Sequence, residues 1–396
     1  KLSRKTIIKK TAMVGLSTLL SRVLGVVREV LKVRYLGAGA LADAFNMAFK
    51  IPNTLRKVFA EGALSASFIP TLISVQKKQD QDQVNKLMSL MFLFFEGALL
   101  ALCFLIFWKA SFVVSVLAPG FIQPGADPER FLAAVKLTRI TIFFVFFVSS
   151  SALCAGALQS IHQFFIPTLG PILLNISFIA GLVISLYYKL PIEQFALFVL
   201  LGGLLQLILH VFAYFKNNFS LGLPDKKTFS NFKSILFKFL PCLLSMSAIE
   251  INLIIDQRFA SYLPVGSISL LNYAFDFTRI ALGVFAVAFS TVLLPHFSRV
   301  NEYAPKRLSF YLLESTKLIF WVTVPVALVM SFFGEKIFYT TLYCDNFPME
   351  KVIQANIILS AFLVGSFFFS LNKILLSIYY SKHSTFLPTV ISFLGT

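Results

Sequence analysis

The chain has 396 residues, 57% hydrophobic and only 13% charged, with 46 Phe and a mean hydropathy of +0.81. Soluble domains carry about 25% charged residues, so this composition excludes a water-soluble globular enzyme and implies a polytopic membrane protein. The formal charge of +17 does not point to nucleic acid, because the basic residues collect in short loops between apolar runs and no RNA- or DNA-binding motif accompanies them.

Apolar segments of spanning length, about 20 residues, are predicted at roughly 12–36, 42–74, 87–117, 131–158, 164–188, 192–215, 235–263, 267–298, 310–342 and 350–380. Another starts near Phe386 and is cut at Thr396, and the chain opens on Lys1. It therefore reads as a fragment, truncated after about 10–11 transmembrane helices. The start, KLSRKTIIKKTAMVGLSTLL, has the basic and apolar regions of a signal peptide. Arg22 and Arg28 follow in place of a small-residue cleavage site, so an uncleaved first helix is expected.

The loops set an orientation. One side carries Lys1, Arg4, Lys5, Lys9 and Lys10, then Lys77, Lys78 and Lys86, then Lys216, Lys226, Lys227 and Lys233, then Arg299, Lys306, Arg307 and Lys382. The other side has short, nearly neutral connections: LGAGAL, APGFIQPGADPER, KLPIE, LPVGS and CDNFPMEK. The positive-inside rule places the N-terminus in the cytoplasm.

An internal repeat joins the second and eighth segments. Asn46-Met47-Ala48-Phe49 matches Asn272-Tyr273-Ala274-Phe275, and each is followed at similar distance by a Pro, Pro70 and Pro295. Both copies sit second in a block of six segments, which predicts parallel-repeat six-helix lobes, a plan used by transporters that bind cargo between their halves. The lobes are expected at 1–215 and 235–396, the second incomplete, joined by a cytoplasmic linker at 216–234.

Ionisable side chains inside spans are costly and mark cargo or ion paths. The first segment holds Arg22, Arg28, Glu29, Lys32 and Arg34; the second holds Asp43, Lys50, Arg56, Lys57 and Glu61, with Pro52-Asn53 expected to break the helix beside a cavity. Arg22 and Arg28 lie about 120° apart around the helix axis, whereas Asp43 and Lys50 share a face. Lys32 and Arg34 read as snorkelling groups near the outer helix end, and Glu29 as a partner of Lys32 or Lys50. Arg28, Asp43 and Arg56 are expected to face one solvated cavity. The basic surplus suits an anionic ligand, since guanidinium forks match phosphate oxygens.

The second half is charged differently. Glu250, Asp256 and Arg258 fall in the seventh segment, and Asp276 and Arg279 in the eighth. Asp276 and Arg279, at i,i+3, suit an ion pair or a cargo contact. Asp256 suits a cation ligand or a partner for Arg258. Glu96 reads as an interhelical bond in preference to a proton-linked site. Cys103, Cys154, Cys242 and Cys344 lie far apart, and His162, His210, His296 and His383 are scattered, so neither set suggests a metal or redox centre. No phosphate-binding loop or hydrolase elbow is present. A transporter, not an enzyme, is expected, without a cofactor and driven by a coupling ion (Na+ or H+) or the membrane potential.

Ser21 to Pro70, SRVLGVVREVLKVRYLGAGALADAFNMAFKIPNTLRKVFAEGALSASFIP, closely resembles the N-terminal signature of the MurJ (MviN) lipid II flippases. These belong to the multidrug/oligosaccharidyl-lipid/polysaccharide (MOP) exporter superfamily. Weaker similarity continues at APGF from Ala118, PTLGPILLNIS from Pro167, GGLLQL from Gly202 and the Ser290–Pro295 run. The resemblance implies an all-α, MATE-like V of two lobes in the bacterial cytoplasmic (inner) membrane. Its activity would be alternating-access transfer of lipid II, an undecaprenyl-pyrophosphate-linked disaccharide peptide, to the periplasmic leaflet. Membrane lipids and cell-wall synthesis proteins would be its other partners.

The family's important charges map onto Arg22, Arg28, Asp43, Lys50, Arg56, Lys57 and Glu61. Asp276 stands where the family has an Arg in the eighth helix, with Arg279 one turn on as a substitute. Asp256 matches the Asp of a sodium site found in some members. Two other readings compete. A multidrug cation antiporter on the same fold conflicts with the basic surplus, and a non-transporting membrane scaffold would not need buried Arg and Asp.

Overall fold

The computed structural model describes residues 4–58, 64–279, 307–381 and 391. Glu61, Pro295 with the end of the repeat, the loop carrying Arg299 and Lys306, and the segment predicted from Phe386 lie outside them. The described residues are helical almost throughout. Their one β feature is an isolated bridge between Cys344 and Phe347. Among the described residues six helical stretches are long and apolar enough to cross a membrane: Gln81–Trp108, Pro128–Ser160, Phe165–Tyr188, Ile192–Lys216, Leu308–Leu342 and Met349–Leu376. Each answers to a predicted span, as the uninterrupted apolar runs require.

The chain divides into two compact units, Lys1–Tyr35 with Ala40–Leu263, and Leu36–Gly39 with Pro264–Thr396. In the first, α1 spans Arg4–Leu36, α2 Ala40–Leu55 and α3 Leu64–Lys78. The predicted second span is thus two helices, but Pro52 does not end the first of them. α2 continues through Pro52 to Leu55, and the backbone widens into a π turn only at 56–58. A proline deletes one backbone donor and crowds the preceding turn, which kinks a helix without having to stop it.

α4 (Gln81–Met91), a π turn at Phe92–Glu96 and α5 (Gly97–Trp108) form the third span, followed by α6 (Ala110–Leu117). α7 (Pro128–Thr141) runs almost directly into α8 (Phe143–Ser160), and α9 (Phe165–Tyr188), α10 (Ile192–Lys216) and α11 (Lys226–Ala260) complete the unit. α11, predicted to open the second lobe, shares an apolar core with α3 and α4. Phe68, Leu72, Met88 and Met91 are sealed there with Ile235 and Phe239. At its far end the turn Pro119–Ile122 seats Gly120 against Ser261, whose hydroxyl accepts a 3.0 Å hydrogen bond from the Gly120 amide. A Cβ at Gly120 would strike the Ser261 backbone, so only glycine allows this approach.

Residues 217–225, joining α10 to α11, form a strap along α4. The Asn85 side chain bonds both the hydroxyl and the amide of Ser220, and the Gly222 amide donates to Ser89. Asp225 caps α11 in a reciprocal box with Thr228.

In the second unit a helix at 267–279, α12, precedes α13 (Leu308–Leu342) and α14 (Met349–Ser381). α13 and α14 pack side by side, with Leu308, Ile319 and Ile374 buried between them. The Tyr273 hydroxyl donates 2.8 Å to the Gly37 carbonyl, where Gly37 takes a left-handed φ of 62°.

Candidate functional site

The predicted charges of the first unit fall into separate groups. The first is built on α1 and α9. Arg28 donates through Nη1 to Asn175 Oδ1 at 3.0 Å and through Nη2 and Nε to Glu29 Oε1 at 2.7 and 3.1 Å. Its guanidinium lies 5.2 Å from the centroid of the Phe178 ring. Asn175 in turn donates to the Ser21 carbonyl at 2.9 Å, so one buried amide ties α1 to α9 and orients the Arg28 fork. Glu29 also pairs with Lys32. Lys32 is buried, which corrects its reading as a snorkelling residue; the neighbouring carboxylate keeps its ammonium inside. Arg34 and Arg22 are exposed.

The second group lies near the end of α2. Arg56 Nε and Nη2 both donate to Asn53 Oδ1, at 3.2 and 2.9 Å. Lys57 Nζ pairs with Glu250 of α11 at 3.0 Å, and Thr54 Oγ1 donates to the same carboxylate at 3.3 Å. Lys50 lines an adjoining cavity of about 170 Å³ whose walls are otherwise almost wholly apolar, with Gln257 on the α11 side.

Asp43 belongs to neither group. Its carboxylate is fully buried and accepts a 2.9 Å bond from Arg130 Nη2, an ion pair whose Arg side chain is only 4% exposed. Arg130 lies 4.3 Å over the Phe121 ring. Asp43 therefore does not face a solvated cavity with Arg28 and Arg56. Arg130 was hidden in a stretch that reads as a neutral loop, but Pro128 starts α7 there and carries it into the interior. The unpartnered look of Asp43 in an apolar helix was the signal that a buried cation had to exist. Asn175, a lone amide in the apolar run PILLNIS, was legible in the same way.

In the second unit, Arg279 is 61% exposed and lies 3.8 Å from Asp276, a loose i,i+3 pair. Asp256, in the first unit, is exposed. Among the described residues it has no ion pair with Arg258, and no group of three or more His, Cys, Asp or Glu side chains forms that could hold a metal. These side chains do not make a sodium site on their own, and no cation step is assigned to Asp256.

A family model described as "Lipid II flippase MurJ" matches residues 32–396. The "Lipid II flippase MurJ" of Burkholderia cenocepacia is 32% identical over 381 residues, 95% of this chain and 73% of that protein. A solved structure, "Lipid II flippase MurJ, inward closed conformation", superposes with a TM-score of 0.83 at 27% identity, covering 96% of this chain and 78% of its own. An inward-facing multidrug resistance MATE family transporter of the MOP superfamily superposes at 0.74 over 94% of this chain and 84% of its own; at 15% identity this likeness is one of fold.

Proposed function

The chain belongs to the MurJ lipid II flippase family, and from that membership we propose that it carries lipid II from the cytoplasmic to the periplasmic leaflet of a bacterial inner membrane. It is a multi-pass membrane protein, and in this reading its N-terminus is cytoplasmic and it works by alternating access. The observation that carries the proposal is the match of a single family over nearly the whole chain.

The grip on the cargo is the finer part of the reading. A pyrophosphate leaving the headgroup layer needs cations that hydrogen-bond it, since an unpaired anion in a low-dielectric path costs several kcal/mol. Arg28 and Arg56 supply two guanidinium forks: Asn53 orients that of Arg56, while Arg28 is held by Asn175 and by Glu29, a carboxylate that it shares with Lys32. Arg22, Lys50, Lys57 and Glu61 belong to the same reading as surrounding charges, and Arg279 as its counterpart in the second unit. Asp43 supports the scaffold through Arg130. The drive is a coupling ion or the membrane potential, and cell-wall synthesis proteins are the expected neighbours.

The test is complementation. The completed chain should sustain growth of a bacterium depleted of its own lipid II flippase, and Arg28→Ala and Arg56→Ala should not, at equal membrane levels. Normal growth with both variants would refute the two-fork grip, while failure of the unaltered chain would refute the flippase reading itself.

A further inference from the structure

The π turn at Phe92–Glu96 interrupts the third span between α4 and α5. Such turns are uncommon and recur at functional positions. Here it ends on Glu96, which is buried. Ser149 Oγ donates to Glu96 Oε1 and Ser150 Oγ to Oε2, each at 2.8 Å. Among the described residues no Lys, Arg or His pairs with this carboxylate. The titratable groups facing it are two thiols, Cys103 of α5 and Cys154 of α8. From α11 the rings of Phe232 and Phe239 pack on Phe95, and Ile235, Leu236, Cys242 and Leu243 join the same apolar cluster.

A cation at this place would fix Glu96 as an anion. Hydroxyls do not, because each both donates and accepts. A helical serine can turn its O–H to the carbonyl one turn back, leaving its oxygen to accept from a protonated carboxyl. Glu96, Ser149 and Ser150 can therefore hydrogen-bond both the ionised and the protonated acid by rotation of a hydroxyl. Glu96 also borders a groove of about 580 Å³ that runs from Leu100 to Ser89 and the strap at Gly222. The groove is lined mostly by apolar side chains but reaches Ser89 and the strap, and the site inferred below takes its water from that end.

From this geometry we infer that Glu96 is a proton-binding site. Water in the groove delivers a proton, an O–H bond forms on one carboxylate oxygen and one serine hydroxyl reverses. Release breaks that bond and returns the proton to water. The inference requires no particular cargo, so it stands or falls separately from the flippase reading.

Infrared difference spectroscopy of the full chain in liposomes, stepped between acidic and alkaline pH, tests it. The expected result is a protonated-carboxyl C=O band that is lost on the alkaline step, returns on acidification and is absent from Glu96→Gln. The double variant Ser149→Ala/Ser150→Ala keeps the carboxyl, and its band should move to higher frequency, as for a carbonyl that has lost a hydrogen bond. Identical pH-dependent bands in the unaltered chain and Glu96→Gln would overturn the proposal. Should Glu96→Gln not fold, an unshifted band in the serine variant overturns it equally.

Discussion

Asp43 of α2 and Arg130 of α7 form a sealed ion pair at 2.9 Å, with the Asp side chain wholly buried and the guanidinium stacked over Phe121. Two charges removed from water hold each other at the junction of two helices that pack closely along their length. Such a pair stabilises little against an apolar replacement, but breaking it strands a buried charge.

Asp43→Ala should therefore destabilise the protein by about 3–5 kcal/mol. Asp43→Ala/Arg130→Met should recover part of that loss by removing the stranded cation. Thermal unfolding in detergent reads both. If Asp43→Ala unfolds like the unaltered chain yet loses transport, Asp43 contacts cargo and the scaffold role is wrong.

Arg28 and Asn175 act together in a different sense. Arg28→Lys keeps a charge but loses the fork, so transport should fall strongly yet stay above that of Arg28→Ala. Asn175→Ala leaves the fork charged and held by Glu29 alone, and releases the Ser21 carbonyl. A transport assay in vesicles should then show weaker apparent affinity for lipid-linked cargo, with a smaller change in maximal rate. Equal loss in both parameters would argue for a general packing defect.

The class of fold was legible because hydrophobic length and loop charge are local quantities. Six of the predicted apolar runs fall on helical stretches of spanning length among the described residues, and Asp276–Arg279 paired at the spacing that the helix repeat allows. What stayed hidden was pairing between distant segments. Glu29 pairs with Lys32 as expected, but that Asn175 of a distant helix joins Arg28 there and that the cluster buries Lys32 was not legible. Arg130 looked like loop, and Pro52 looked like a break, because a sequence pattern does not reveal which neighbour fills the gap that a proline leaves. Glu96 makes the interhelical bonds expected of it, but which serines it meets was not legible in the sequence.

Lys57 and Glu250 link α2 to α11 with both side chains partly shielded from solvent. Exposed pairs contribute little, but shielding and the added Thr54 hydroxyl raise the coupling here. A double-mutant cycle with Lys57→Met and Glu250→Gln should give a coupling of about 1 kcal/mol in unfolding free energy. The exchange Lys57→Glu/Glu250→Lys should recover stability that either single reversal loses. Additive single effects would show that the pair does not couple the helices.

Asp225 lies outside the spans, where proton equilibria are those of water. The Gln83 side chain donates to its Oδ2 at 2.6 Å, the Thr228 amide to Oδ1 at 2.8 Å, and Thr228 Oγ1 and Lys86 Nζ add further bonds. Led by Gln83, these donors hold the Asp225 carboxyl well below the usual carboxylate range, against a smaller opposing effect of desolvation. A folded-state pKa depressed in this way gives stability that is fully present above the unfolded value, about 3.9. That stability is lost as pH falls from there through the folded value. The strap over α4 should therefore be insensitive to pH near neutrality and loosen only in acid. Hydrogen exchange of amides 217–228, corrected for intrinsic rate, should quicken below about pH 4. Asp225→Asn should quicken it at neutral pH as well, because an amide presents N–H groups where Gln83 and Lys86 need acceptors. Unchanged protection in Asp225→Asn at neutral pH would mean that the strap is held by Asn85 and Ser89 alone.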